Sequence, residues 1–217
     1  MIDMIWQPKF MELLSSQTAT DAAHDLAHVR RVVVNARRLC HASDADWTVV
    51  MPAAWLHDCV FVPKSSPHRK LASKLAAEQA RRWLEKMEWP HGALEEIAHA
   101  IEAHSFSAGI APVTIEAKVL QDADRLDALG AVGLARTLML GAEMKRDFYE
   151  PEDPFCDARA ADDSIYTLDH LYCKLLSLES TMQTQAGKAE AVQRTQFLYD
   201  FLTQLKRELA VEECLGQ

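Results

Sequence analysis

Glycine is scarce in this chain, seven in 217 residues, and most of them fall near apparent helix ends. A sheet-rich fold with many tight turns is therefore not expected, and abundant alanine and leucine favour helices. Long apolar runs are also missing. The longest, Val49 to Leu56, is too short to span a bilayer. The first residues, Met1-Ile-Asp-Met-Ile-Trp, carry neither a basic n-region nor an apolar h-region, so no signal peptide is expected. The five cysteines are odd in number and none is spaced C-x-x-C, which argues against a disulfide framework or a structural zinc site and makes the reducing cytoplasm the expected compartment. Positive charge is in deficit, giving a formal net charge of −9. Such a surface repels nucleic acid and anionic lipid, so neither a stable nucleic-acid complex nor membrane binding is expected. A small anionic substrate stays open, because a metal and a few arginines can invert the field locally.

What is present is helical periodicity almost from end to end. Helices are predicted at about 8–16, at 22–42 behind the N-cap types Thr20 and Asp21, and from Asp44 and Asp46 to near Asp58. Further helices are predicted at 68–87, from Pro90 to Ser105, from Thr114 to about Asp127, and from Gly130 and Gly133 to about Lys145. Residues 60–67 and 107–112 read as loops, and 147–163, with two prolines and many acids, as the longest loop. Two helices follow, 164–183 and 187–210; the last carries Val192, Leu198, Leu202, Leu205 and Leu209 near one face. No linker divides the chain. The expectation is one all-α domain over 1–217, with a core at about 20–146 and C-terminal helices at about 164–210.

Three segments concentrate histidine and aspartate. His24 and His28 share a helix face. A zinc-protease H-E-x-x-H is excluded, because Asp25-Leu-Ala27 puts no glutamate in the catalytic place. His57 and Asp58 are adjacent at a helix end, where two neighbours can converge on one ion. Gln121-Asp122-Ala-Asp124-Arg-Leu-Asp127 places three aspartates in six residues among Leu120, Ala123, Leu126 and Leu129. Unpaired carboxylates are costly on a buried helix, and a cation or an arginine would offset that cost. Asp124 and Asp127 share a face, and Asp122 points roughly away. A solvated acidic helix end is the alternative.

Taken together, His28-Val-Arg-Arg-Val, Trp55-Leu-His57-Asp58 and Asp122-Ala-Asp124-Arg-Leu-Asp-Ala-Leu-Gly resemble the H…HD…D signature of the HD-domain phosphohydrolases. The similarity is to a bacterial branch of the YedJ and YpgQ kind, supported by His104-Ser-Phe-Ser107, by His170-Leu-Tyr-Cys-Lys174 and by Arg194. The resemblance spans nearly the whole chain. It implies a compact helical HD fold and one divalent metal (Mn, Fe, Co, Ni, Zn or Mg) held by His28, His57, Asp58 and Asp124. It also implies metal-dependent hydrolysis of a phosphate ester or anhydride, in a nucleotide first and in a small phosphomonoester second. Competing readings are a non-catalytic metal-bound regulatory module and an alarmone hydrolase. Cys59-Val-Phe-Val62 after the HD pair lacks the Glu-Asp expected for alarmones, and no Gly-Tyr-Pro points to cyclic dinucleotides.

Around that set, Asp58, His104 and His24 are the expected catalytic groups. Ile97, Ile101 and His104 lie on the apolar face of their helix, with His99, Glu95 and Glu102 on the outer face, so His104 should point inward. Arg31, three residues after His28, is expected to clamp phosphate, while Arg30, Arg37 and Arg38 are expected to be solvated. Arg125 and Asp127 are expected to pair beside Asp124 and, with Lys64 and Lys145, to serve the substrate. The oligomeric state is open, a homodimer among the options.

Overall fold

The computed structural model describes residues 2–16, 26–62, 66, 68–105 and 108–209. The predicted caps Thr20 and Asp21 therefore lie outside the described residues. So do His24, Lys64, Phe106 and Ser107. The described residues contain α-helices, short 3-10 turns and no strand beyond an isolated bridge between Asp147 and Tyr166.

The chain forms two compact units, residues 1–124 with 183–187, and residues 125–182 with 188–217. The boundary falls inside a helix, between Asp124 and Arg125, which is why no linker marks it in the sequence.

The first unit contains α1 (Ile2–Ser15), α2 (Leu26–His41), α3 (Trp47–Leu56), α4 (Ala72–Lys86), α5 (Leu94–His104) and the body of α6 (Ile115–Asp127). Its centre is α3. Asp46 caps it by accepting the Thr48 N–H at 2.8 Å. Every residue from Val49 to Leu56 is buried, so α3 has no outer face, and α1, α2, α4 and α5 pack round it. This explains the one long apolar run in the sequence. Trp6, Phe10 and Trp89 form a buried aromatic cluster, with Trp6 and Trp89 edge to face at 4.6 Å.

α1 begins at Ile2 and takes Pro8 within it, earlier than the predicted start at residue 8. Pro90 does not open the fifth helix. Glu88, Gly92 and Ala93 all have positive φ, and this tight turn delays α5 to Leu94. Thr114 caps α6 as predicted, its Oγ1 accepting the Ala117 N–H at 3.1 Å.

The second unit contains α7 (Gly130–Glu143), the long loop, α8 (Asp169–Cys173), a 3-10 stretch (Leu175–Thr181) and most of α9 (Gln185–Leu209). The helix predicted at 164–183 is thus broken into one short turn of α-helix and a 3-10 segment. The cause is Asp169. Its fully buried carboxylate is gripped by Arg159 from the loop, at 2.5 and 2.8 Å, and by the Asp162 N–H at 2.7 Å. The chain before it follows the loop. On α9, Leu198 and Leu202 are buried with Ala191 and Thr195, while Val192 is half exposed and leaves the predicted apolar face.

Candidate metal centre

Four ligand candidates come from three helices of the first unit. His28 opens α2, His57 and Asp58 follow the last turn of α3, and Asp124 lies in α6. Asp58 Oδ2 is 3.9 Å from His28 Nε2 and 3.6 Å from His57 Nε2. Asp124 Oδ1 is 3.5 Å from His28 Nε2 and 3.9 Å from His57 Nε2. His28, His57 and Asp58 place one ligand atom each within 4.8 Å of one another.

The tautomers are set by backbone. His57 Nδ1 lies 2.9 Å from the Ala54 carbonyl, which can only accept, so Nδ1 carries the proton. Burial holds the ring below the ordinary histidine range, against the raising pull of Asp58. A neutral ring thus presents the Nε2 lone pair inward. That atom is buried and has no hydrogen-bond partner among the described residues.

His104, at the end of α5, repeats the arrangement. Nδ1 is 2.6 Å from the Ile101 carbonyl, and Nε2 is 3.5 Å from Asp58 Oδ1. Burial lowers its pKa, but the hydrogen bond and charge of Asp58 outweigh this and raise it. Asp58 is therefore shared: Oδ2 faces His28 and His57, and Oδ1 faces His104.

Two buried carboxamides tie these helices together. Asn35 on α2 donates to the Ala123 carbonyl of α6 at 3.2 Å, next to Asp124. Gln121 on α6 donates to the Ala103 carbonyl of α5 at 2.7 Å, next to His104. Sequence patterning gave no hint of either brace, since each is one amide among buried apolar neighbours.

The family model of the HD domain matches residues 25–129. The Bacillus subtilis protein YpgQ is 30% identical over 196 residues, covering 88% of this chain and 87% of YpgQ. The chain belongs to the HD-domain family.

Solved structures agree. A crystal structure of an HD-superfamily hydrolase from Bacillus thuringiensis matches with 30% identity, a TM-score of 0.70, and coverage of 93% of this chain and 97% of that one. The structure of YpgQ in complex with ADP matches with 27% identity, a TM-score of 0.71, and coverage of 93% and 96%. This HD-domain protein is a metal-dependent hydrolase, and its site fits a divalent ion. Two imidazoles and two carboxylates suit such a cation, and the orphaned Nε2 of His57 is the atom it would satisfy.

Asp122, expected to point away, is fully buried and structural. Its carboxylate accepts the N–H groups of Gln183 and Thr184 at 2.8 and 2.7 Å and the Thr184 hydroxyl at 2.7 Å. Gly187 is required beside it, because a methyl group there would collide with the carboxylate. The alternative of a solvated acidic helix end fails for this aspartate.

The remaining expected residues divide. Arg31 is half-buried on α2. Asp127 accepts from Arg136 at 2.5 Å, and Arg125 donates to the Thr181 carbonyl at 2.5 Å. Both belong to the second unit, as does Lys145, an exposed residue with φ of 56° just past the end of α7. His99 is half-buried and accepts the Val113 N–H at 3.2 Å, where an outward-facing side chain was expected.

Proposed function

We propose that this chain hydrolyses a phosphoanhydride or phosphate ester bond in a nucleotide. His28, His57, Asp58 and Asp124 would hold one divalent ion. The observation that carries the proposal is the buried, partnerless Nε2 of His57, set between the carboxylates of Asp58 and Asp124 with His28 alongside. The capture of ADP by YpgQ supports a nucleotide as substrate.

A bound divalent ion supplies Lewis-acid polarisation of a phosphoryl oxygen and acidifies water. The chain supplies the rest. The Ala54 carbonyl keeps His57 in the tautomer that presents Nε2. Asp58 divides its two oxygens between the ligand histidines and His104. His104, biased toward its protonated form by Asp58, presents Nε2 as a donor to phosphoryl oxygen or to the departing group. His24 and Lys64 are proposed to serve the same site, as is Arg31 in phosphate binding. The four described cysteines are all free, which suits the reducing cytoplasm we propose as its compartment. No described helix is long and apolar enough to cross a membrane.

The test is a screen of nucleoside mono-, di- and triphosphates and phosphomonoesters with Mn²⁺, Fe²⁺, Co²⁺, Ni²⁺, Zn²⁺ and Mg²⁺, with products read by phosphorus NMR. Release of phosphate or pyrophosphate from a nucleotide is expected. Turnover of phosphomonoesters alone, or of nothing with any metal, contradicts the proposal.

A further inference from the structure

Away from the metal centre, α1, α2 and the end of α3 enclose a groove of about 530 Å³. Its walls include Met11, Arg30, Val34, Arg37, Arg38 and Trp55. On α2 the groove residues, Val33 among them, fall at i, i+3, i+4, i+7 and i+8. At 100° per residue they lie on the side of the helix opposite His28 and Asn35, so the groove is separate from the metal centre. Trp55, 1% exposed, lies at its base, and Val34 stands half exposed in its wall.

Its charge runs against the rest of the chain. The protein has a net charge of −9, yet three arginines line this groove and no carboxylate is among its lining residues. Arg37 is committed, pairing with Asp3 and lying 5.0 Å from the Trp47 ring. Arg30 is exposed and touches only the Met11 sulfur, at 3.7 Å, a weak acceptor. Arg38 is exposed, and among the described residues no carboxylate pairs with either Arg30 or Arg38. Two guanidinium forks thus stand at the edge of an apolar cleft without a carboxylate partner among the described residues.

We infer that this groove is a second, non-catalytic binding site for a nucleoside phosphate. The apolar wall of Val34 and Met11 takes the flat nucleoside, and the forks of Arg30 and Arg38 take the phosphate oxygens, which they match in geometry. The volume is of the size that encloses a small organic ligand. A phosphate ion alone would leave the apolar wall unused, and a neutral nucleoside would leave the arginines unpaired. The inference does not rest on the hydrolytic reading of the metal centre.

The experiment uses GDP as probe, with guanosine and inorganic phosphate beside it, in the presence of a chelator. Wild type and Asp124→Ala are compared so that metal-dependent binding cannot contribute. GDP should bind both and shield Arg30 and Arg38 from phenylglyoxal, read by mass spectrometry. In Arg30→Gln/Arg38→Gln its affinity should fall about tenfold or more. Hydrolysis by the metal-loaded double variant should stay at the wild-type level. Failure of GDP to shield the two arginines in the unsubstituted protein overturns the inference, and so does an unchanged affinity in a folded double variant. Equal shielding by inorganic phosphate removes the nucleoside from the assignment, and equal binding of guanosine removes the phosphate.

Discussion

His57 Nε2 and Asp58 Oδ2 stand 3.6 Å apart, although neighbouring residues in a regular helix project about 100° apart. α3 ends at Leu56, and His57 keeps helical dihedrals as its C-cap, so the pair sits at the end of the helix. The end of one fully buried helix thus carries half of the proposed ligand set.

His104 should matter for turnover and not for metal content. His104→Gln is expected to cost about 10²-fold in kcat with the metal retained, the lower end for one acid–base group. His99→Gln keeps an acceptor near the Val113 N–H and should leave kcat within about twofold. Steady-state kinetics with quantified metal decides between them. Equal small effects would leave His104 as a packed core histidine, and metal loss would enlarge the ligand set.

The two carboxamide braces should be felt at the site. Asn35→Ala removes the tie between the helices of His28 and Asp124, and Gln121→Ala the tie between those of Asp124 and His104. Such indirect braces should contribute at or below the roughly 10-fold lower end for groups bonded to ligands directly. Titration with Co²⁺, followed by its visible spectrum, should show a weakened and altered site. Unchanged affinity and spectrum in both variants would mean that the helices hold their places without the amides.

Acid should reveal the loop anchor. Burial pushes the Asp169 carboxyl up, but the Arg159 hydrogen bonds and the Asp162 N–H win and hold its pKa below the ordinary carboxylate value. A depressed folded pKa contributes stability above the unfolded pKa, near 3.9, and loses it as pH falls through the folded value. Arg159→Ala should therefore lower the urea midpoint at pH 7, and its gap from wild type should narrow below about pH 4. A gap independent of pH would contradict the pairing.

Much of this was legible before any coordinates. A helix ending near Asp58 was expected, and the phase of Ile97 and Ile101 turned His104 inward. The spacing of His28, His57-Asp58 and Asp124 carried the family. The rest depended on contacts distant in sequence. Nothing local to Asp122 foretells Gln183 and Thr184, about sixty residues later. The 164–183 segment reads as a helix because periodicity ignores Asp169, whose burial requires Arg159 from the loop. Asp127 similarly takes a hydrogen bond from Arg136 on the next helix, nine residues on, which nothing local foretells.

Asp122 should be a stability residue. Asp122→Ala strands two backbone N–H groups and the Thr184 hydroxyl, and should destabilise the fold by roughly 3 kcal/mol. Chemical denaturation of the metal-free protein reads this directly. A change under about 0.5 kcal/mol would mean that water replaces the carboxylate at no cost.

The central claim is that Asp124, and not Asp122, completes a site with His28, His57 and Asp58. Metal content by mass spectrometry of purified Asp124→Asn and Asp122→Asn, each shown to be helical by circular dichroism, tests it most directly. The account predicts that Asp124→Asn loses the ion while Asp122→Asn, though less stable, keeps one equivalent. Full occupancy in Asp124→Asn together with loss in Asp122→Asn would contradict it.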